Sequence, residues 1–113
     1  MVAENESPAR GDLVWISLNP QAGHEQAGRR PALVVSPIEY NQRVGLALMC
    51  PITNKAKGYP FEVGLPENLQ ITGVVLSDQV KSLDWRAREA QIADVAPEST
   101  TAEVMGKLNV LLS

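Results

Sequence analysis

The sequence predicts a mainly β fold of the α+β class, a small twisted barrel or sheet with one helix packed on it. Short apolar, β-branched segments recur along the first 93 residues, separated by Gly, Pro and Asn turns. One helical pattern then runs from Pro97 to the C-terminus. No repeat, low-complexity segment or linker divides the 113 residues, a length that supports one domain with its own core.

Turn residues separate the predicted strands. Asn19-Pro20 ends the first strand, and Pro37 ends the second. Residues 38–42 are predicted to form one helical turn, and residues 53–60 a polar loop that carries lysines. Residues 77–88 are a mixed segment that is compatible with strand. The strands are predicted at 13–18, 32–36, 46–52, 61–63, 73–76 and near 90–93.

The C-terminal helix is predicted from a single apolar face. Pro97 suits the first helical position, and Glu98 complements the positive end of the helix dipole. Gly106 costs about 1 kcal/mol relative to alanine, so either the helix frays there or a neighbour packs closely on it. Apolar residues recur at spacings of three and four, at Ala102, Val104, Met105, Leu108, Leu111 and Leu112.

Composition is typical of a globular protein, with 44% apolar and 20% charged residues. No apolar stretch approaches the roughly 20 residues of a membrane helix. Residues 1–10 lack the features of a signal peptide and are expected to be a flexible tail of the single domain 1–113. The single cysteine, Cys50, lies in an apolar run and is expected to be a buried thiol. It fits a reducing, cytoplasmic location.

Charge is distributed unevenly along the chain. The formal net charge is −3, whereas residues 27–61 hold five cationic side chains against Glu39 alone, a local net charge of +4. A local basic patch is compatible with RNA binding even in an acidic chain. A solvated charged face is the alternative, and the charge counts alone favour it.

Residues 23–31 form a loop that carries one carboxylate and two guanidinium groups. Pro31 marks the start of the next predicted strand, so Glu25 and Arg30 are expected near the base of this loop. A carboxylate that takes a proton beside a guanidinium that holds phosphate is suited to RNA cleavage. The same pair is equally compatible with a surface salt bridge, and local chemistry does not decide between the two.

With these segments placed, the chain resembles the MazF/PemK family of toxin endoribonucleases from type II toxin–antitoxin modules. The matching blocks follow the family order and cover nearly the whole length after the first ten residues. They include Gly11-Asp12-Leu13-Val14-Trp15, residues 25–32, residues 57–63, residues 76–82, Trp85-Arg86-Ala87-Arg88 and residues 109–112.

The resemblance implies an SH3-like β-barrel with a C-terminal helix, assembled as a homodimer. It also implies sequence-specific cleavage of single-stranded RNA, without metal or cofactor, that leaves a 2′,3′-cyclic phosphate and a 5′-hydroxyl. The implied partner is a cognate MazE-like antitoxin whose acidic and apolar tail covers the active face. One histidine, one cysteine and unclustered carboxylates offer no spacing typical of a metal site.

Such cleavage uses the 2′-hydroxyl of the RNA as nucleophile, so the protein must accept its proton and stabilise the phosphorane oxygens. Arg30 matches the catalytic arginine of the family, and its permanent charge suits electrostatic stabilisation. Glu25 matches the loop glutamate and is the proposed general base, although the ordinary glutamate pKa of about 4.3 is a poor match to neutral pH. The general acid stays unassigned.

Thr53 matches a threonine that the family places at the site, where its hydroxyl would hold the scissile phosphate. The alternative for Thr53 is a turn residue bonded to its own backbone. Many relatives carry a second hydroxyl residue next, whereas this chain has Asn54. Asp78 lies in a matched block and is a second candidate base.

The residues expected to contact RNA are mostly cationic. Arg29 occupies a position that is often histidine in relatives, and it is expected to bind phosphate. His24 is expected to be a solvated loop residue. Trp15 is expected in the core, and Trp85 at an interface. The expected RNA-binding residues are Arg29, Lys55, Lys57, Gln79 and Arg86, with a solvated loop as the alternative for the two lysines.

Two other functions are compatible with the same fold. A gyrase inhibitor of the CcdB type shares the fold but ends in a Trp-Gly-Ile tail, which residues 109–113 lack. A non-catalytic SH3-like binding module is the second alternative. The joint presence of Glu25, Arg30 and Thr53 favours the nuclease over both.

Overall fold

The computed structural model describes residues 6–17 and 28–113. In these ranges no helix is long and apolar enough to cross a membrane. The elements are β1 (Asp12–Ser17), β2 (Arg29–Val34), α1 (Ile38–Val44), β3 (Leu46–Thr53), β4 (Glu62–Gly64), β5 (Val74–Leu76), a 3₁₀ turn (Ser77–Gln79), β6 (Lys81–Asp84), β7 (Gln91–Val95) and α2 (Glu98–Leu112).

The strands form one seven-stranded antiparallel sheet in the order β4-β5-β3-β2-β1-β7, with β6 paired to β3. Strand β3 is the centre of this arrangement. One edge of β3 pairs with β2, and the other edge pairs first with β6 and then, at Ile52 and Thr53, with β5. The prediction of a mainly β fold with a C-terminal helix is confirmed.

Alternation of side chains along the strands gives the sheet two apolar faces. On one face, Leu13, Leu33 and Cys50 pack with Val104 and Leu108 of α2. The other face belongs to a second cluster, formed by Val14, Ile16, Ala32, Val34, Ala47, Met49 and Trp85. Helix α2 covers only the first face, so part of the second face is left to form a cleft.

Strand β2 begins earlier than the sequence predicted. It starts at Arg29 rather than Ala32, because β1 continues to pair with it through Ile16↔Arg30 and Ser17↔Arg29. The expectation that Arg30 lies in a loop is therefore wrong. A strand backbone held by ladder hydrogen bonds positions this side chain more rigidly than a loop would.

Two further elements differ from the sequence prediction. The predicted helical turn at 38–42 extends to Val44 and ends at Gly45, whose φ of 83° is in the left-handed region that glycine tolerates. The mixed segment 77–88 contains the 3₁₀ turn and β6, which pairs with the first half of β3.

Helix α2 also differs from the sequence prediction, at its first residue and at Gly106. It begins at Glu98, with Pro97 in the N-cap position rather than the first helical position. The helix continues through Gly106, and a Cβ at this residue would meet nothing within 4 Å among its described neighbours. Neither fraying nor close packing therefore explains this glycine.

The N-terminal segment packs against the sheet from residue 7 onward. Ser7 and Pro8 are buried, the Gly11 amide donates to Val34 O, and Arg10 Nε donates to Val35 O at 2.7 Å. The expectation of a flexible tail over residues 1–10 is wrong for residues 7–10. Residues 1–5 lie outside the described part of the chain.

A buried hydrogen-bond network around Asn41 connects this segment to the sheet. Asn41 is fully buried, and its Nδ2 donates to Pro8 O at 2.7 Å and to Ser36 O at 3.1 Å. Its Oδ1 accepts a 2.6 Å hydrogen bond from Ser36 Oγ, which in turn accepts the Leu48 amide. One side chain thus joins the N-terminal segment, the end of β2 and the start of β3.

The two tryptophans lie in the core. Trp85 is only 2% exposed in the single chain, and its Nε1 donates to Asn41 O at 3.0 Å. Its predicted interfacial position is therefore wrong, because Trp85, the residue after β6, packs into the second apolar cluster. Trp15 is half-buried against the first cluster, as predicted.

Replacing Asn41 with alanine is expected to lower the free energy of unfolding by about 2–4 kcal/mol, because it leaves buried carbonyl groups without donors. Urea denaturation of Asn41→Ala measures this. Gln42→Ala, an exposed neighbour on the same helix, is the matched control and is expected to change stability by less than about 0.5 kcal/mol. Equal effects from the two substitutions would contradict a structural role for the network.

Candidate active site

A cleft of about 360 Å³ opens on the second face of the sheet. Strands β2, β3 and β6 form its floor, and the chain that follows β3 and the 3₁₀ turn form its rim. Its lining consists of Ile16, Arg30, Pro31, Ala32, Met49, Pro51, Ile52, Thr53, Lys55, Gln79, Lys81 and Leu83.

Strand register brings these side chains together. Met49, Pro51 and Thr53 alternate along one face of β3. Met49 lies opposite Lys81 of β6, and Pro51 lies opposite Ala32 of β2, two residues after Arg30. Residues from separate parts of the sequence therefore meet because β3 pairs on both of its edges.

The cleft combines an apolar floor with a cationic rim. Arg30, Lys55 and Lys81 contribute positive charge, and no acidic side chain is among the described residues that line the cleft. Arg30 is exposed, and its guanidinium has no hydrogen-bond or ion-pair partner within residues 6–17 and 28–113. A planar guanidinium in this setting is suited to bidentate binding of a phosphate.

Thr53 lies at the end of β3, on the rim of the cleft. Its Oγ1 accepts the Lys55 amide at 3.1 Å, which is the turn geometry that the sequence left as the alternative for this residue. The hydroxyl proton is not used in that hydrogen bond and remains a donor for a ligand. Thr53 thus serves the turn and faces the cleft at the same time.

Close packing of β3 and β5 fixes this end of β3. A Cβ on Gly73 would lie 2.3 Å from Thr53 O, and the φ of Gly73 is +119°. Asn54, the residue that departs from the family pattern, accepts a hydrogen bond from Thr72 Oγ1 at 3.0 Å. Its side chain therefore helps to hold the turn beside Thr53 and is absent from the cleft lining.

Arg29 faces away from the cleft. Its Nη1 donates to Ser17 Oγ at 2.9 Å, and its Nη2 donates to Glu89 O at 2.9 Å. Longer hydrogen bonds reach Trp15 O and Arg88 O, both at 3.3 Å. The guanidinium that was expected to bind phosphate is thus occupied by acceptors of the protein itself.

Lys57 and Arg86 are not brought to the cleft. The amides of Lys57 and Gly58 donate to the Glu62 carboxylate at 2.9 and 3.0 Å, which anchors their loop to β4. The Arg86 guanidinium lies 4.4 Å from the ring centroid of Trp85, a cation–π contact.

The 3₁₀ turn carries two predicted site residues, Asp78 and Gln79, and only one of them reaches the cleft. Gln79 lines the cleft, whereas Asp78 is exposed outside its lining. Glu25 and His24 lie outside the described residues. Among the described residues, no three His, Cys, Asp or Glu side chains are close enough to hold a metal ion.

Lys81 is the cleft residue that the sequence did not single out. Its block, residues 76–82, matches the family, but β6 was not predicted there, and a lysine in a segment of unassigned structure gives no signal of its direction. The pairing Met49↔Lys81 places it on the cleft face.

Cys50 lies on the opposite face from the cleft and is fully buried. Burial raises the pKa of its thiol to about 12, and the nearby Asp78 carboxylate adds to the effect. The thiol is therefore neutral at physiological pH, and the prediction of a buried structural cysteine is confirmed.

The fold and the cleft define a class: a small, mainly β protein with a C-terminal helix and a basic cleft on one face of its antiparallel sheet. The family model for the PemK-like, MazF-like toxins of type II toxin–antitoxin systems matches residues 9–112. The chain belongs to this family.

Similar proteins include the endoribonuclease toxin MazF of Escherichia coli strain K12, which is 49% identical over 106 residues, or 93% of this chain and 94% of that one. The endoribonuclease PemK of Escherichia coli is 36% identical over 117 residues and covers 100% of this chain and 88% of its own. Among solved structures, MazF from Deinococcus radiodurans has a TM-score of 0.85 at 56% identity, covering 96% of this chain and 98% of that chain. A MazE–MazF structure from the same organism has a TM-score of 0.87 at 50% identity, with the same coverage.

The buried, neutral Cys50 thiol is expected to resist Ellman's reagent at pH 8. Labelling of the native protein should be more than about 100-fold slower than labelling of protein unfolded in guanidinium, since an ordinary cysteine has a pKa of about 8.5. Absorbance at the thiolate product wavelength follows both reactions. Comparable rates would contradict the burial of Cys50.

Proposed function

We propose that this chain is the toxin of a type II toxin–antitoxin system and acts as a metal-independent, sequence-specific endoribonuclease on single-stranded RNA. The observation that carries the proposal is the position of Arg30: on a rigid strand, exposed, at a basic cleft without a described acidic lining residue. Relatives that align with nearly the whole chain are named endoribonucleases, which supports the same activity here.

The proposed reaction is an attack of the RNA 2′-oxygen on the adjacent phosphorus. The P–O2′ bond forms and the P–O5′ bond breaks, which leaves a 2′,3′-cyclic phosphate and a 5′-hydroxyl. One proton passes from the 2′-hydroxyl to a base, and one is supplied to the departing 5′-oxygen. Arg30 neutralises the charge on the phosphorane oxygens, and the Thr53 hydroxyl donates to one of them.

Glu25 is the proposed general base, on its match to the loop glutamate of the family. Asp78 is a second candidate base because it is exposed on the 3₁₀ turn beside Gln79, which lines the cleft.

The proposed RNA path follows the cationic rim. Lys55, Lys81 and Gln79 line the cleft with Arg30 and are placed to contact the backbone on either side of the scissile phosphate. Lys57 and Arg86 lie outside the lining, so any contacts they make are with nucleotides further from the cut. Phosphate binding by the rim releases counterions, and activity therefore falls as salt rises.

The proposed partner is a cognate MazE-like antitoxin. MazE–MazF structures from Deinococcus radiodurans resemble this chain at 50% identity. An acidic segment of the antitoxin would match the charges of Arg30, Lys55 and Lys81, while its apolar side chains would cover the floor of the cleft. Such a segment blocks RNA by occupying the same surface.

We further infer a homodimer that forms through a second, apolar groove of about 630 Å³. The groove lies between the C-terminal half of α2, the start of β3 and the segment after β2. Leu112 is 81% exposed and Leu48 is 38% exposed on it, an apolar surface that a second copy of the chain would bury. Its apolar lining comprises Val35, Pro37, Tyr40, Leu48, Val80, Met105, Leu108 and Leu112.

A cytoplasmic location is proposed from the unpaired Cys50.

Purified protein, freed of antitoxin and incubated with long single-stranded RNA and EDTA, is expected to make discrete cuts with 5′-hydroxyl ends. Arg30→Ala should lower the cleavage rate by about 10²–10³-fold, because it removes the charge at the phosphorane. Arg43→Ala on α1 removes an equal charge outside the cleft and should cleave normally. Mapping of 5′-hydroxyl ends measures the outcome. Intact RNA with folded protein would favour the gyrase inhibitor or the binding module instead.

Leu112→Asp is expected to convert the dimer to a monomer, because a carboxylate buried at an apolar interface loses hydration without a partner. Val110→Asp is the matched control, since Val110 is 67% exposed on the same helix and lies outside the groove lining. Sedimentation velocity distinguishes the two masses. A monomeric parent protein, or a Leu112→Asp variant that stays dimeric, would contradict this interface.

A further inference from the structure

We propose that Arg29 is a positioning residue for the reaction: its guanidinium closes the end of the β1–β2 ladder and thereby fixes the direction of Arg30. This inference rests on the proposed function. It replaces direct phosphate binding, the role expected of Arg29 from the sequence, with a structural one that acts through the neighbouring residue.

The first support is the set of acceptors around the Arg29 guanidinium. Both Nη nitrogens donate to groups of the protein, at 2.9 Å to Ser17 Oγ and 2.9 Å to Glu89 O, with Trp15 O and Arg88 O at 3.3 Å. Three of these four acceptors are backbone carbonyls. A side chain held in this way has no Nη group directed to the cleft.

The second support is what these acceptors join. Ser17 ends β1, while Arg88 and Glu89 belong to the turn that leads into β7. The same junction is closed by the Ser17 amide, which donates to Arg88 O at 2.9 Å, and by Arg88 Nη1, which donates to Ser17 O at 3.1 Å. Arg29 therefore connects the start of β2 to the end of β1 and to the turn before β7.

The turn needs such a donor. Glu89 has a φ of 53°, in the left-handed region that a residue other than glycine enters at a cost. The Arg29 Nη2 group bonds the carbonyl of this residue directly. The Arg29 guanidinium thus stabilises a strained turn. If this turn unfolded, the end of β1 would lose its hydrogen bonds to it.

The link to catalysis is the alternation of side chains in β2. Ser17 pairs with Arg29 and Ile16 pairs with Arg30, so the two arginines leave the strand on opposite faces. Arg30 is the second residue of β2, close to where an unanchored ladder would fray. Holding Arg29 on one face keeps Arg30 directed into the cleft on the other.

Substitution by lysine separates this role from phosphate binding. Arg29→Lys keeps the positive charge but loses the planar fork that reaches Ser17 and Glu89 together. Arg29→Ala loses both. Arg43→Ala is the control for loss of a remote charge, and Ser17→Ala removes a single acceptor in case the arginine variants fold poorly.

The measurements are kcat and KM for RNA cleavage, and the salt dependence of binding to an RNA with a 2′-deoxy group at the cut. We expect Arg29→Lys and Arg29→Ala to lower kcat at least tenfold with KM within twofold, and Ser17→Ala to lower kcat less. The slope of log K against log salt should stay unchanged in all three, whereas Arg30→Ala should reduce it by about 0.7. A normal kcat in Arg29→Lys, or a slope reduced in Arg29→Ala as in Arg30→Ala, would overturn the proposal.

Amide hydrogen exchange in the RNA-free protein tests the same idea without any activity. The Ser17 amide should exchange at least tenfold faster in Arg29→Lys than in the parent, and unchanged exchange would overturn the inference. If the parent protein fails to cleave RNA while Ser17 exchange rises as expected, the proposed function is wrong and the structural role of Arg29 stands.

Discussion

The adjacent arginines of β2 carry the central constraint of this structure. Alternation along the strand sends Arg29 to the β1–β7 junction and Arg30 into the cleft. A shift of register by one residue would exchange their faces and would also turn the buried apolar side chains of β2 to the opposite side of the sheet. The same pairing that builds the sheet therefore sets the chemistry of the site.

Contacts elsewhere in the fold hold the neighbouring strands in place around the paired β1 and β2. The Asn41 network holds the end of β2 against the start of β3, and Gly73 allows β5 to approach Thr53 closely. Strand β3 then presents Met49 and Thr53 to the cleft while Cys50 stays in the opposite core. Stability and function are coupled here, because the residues that lock the sheet also fix the distances between cleft side chains.

Most of the secondary structure and part of the cleft could be predicted from the sequence. The features that could not be predicted depend on which strands pair with each other, which local sequence patterns do not show. The strands, the α2 helix and the buried Cys50 follow from apolar periodicity, and ordered motifs identified Arg30 and Thr53. The bounds of β6 could not be predicted, because its side chains are mostly exposed and show no apolar alternation. Pairing with β3 defines this strand and sets the direction of Lys81. The opposite directions of Arg29 and Arg30 depend on the pairing of β1 with residues 29–31. The sequence did not predict this pairing, because Pro31 was interpreted as the start of the strand.

The most direct test of this account is a crystal structure with a single-stranded RNA that carries a 2′-deoxy group at the cut. We expect a phosphate in the cleft with its oxygens about 2.7–2.9 Å from both terminal nitrogens of Arg30, while Arg29 keeps its hydrogen bonds to Ser17 and Glu89. An RNA backbone that bypasses the cleft, or that binds Arg29 instead of Arg30, would contradict the central claim.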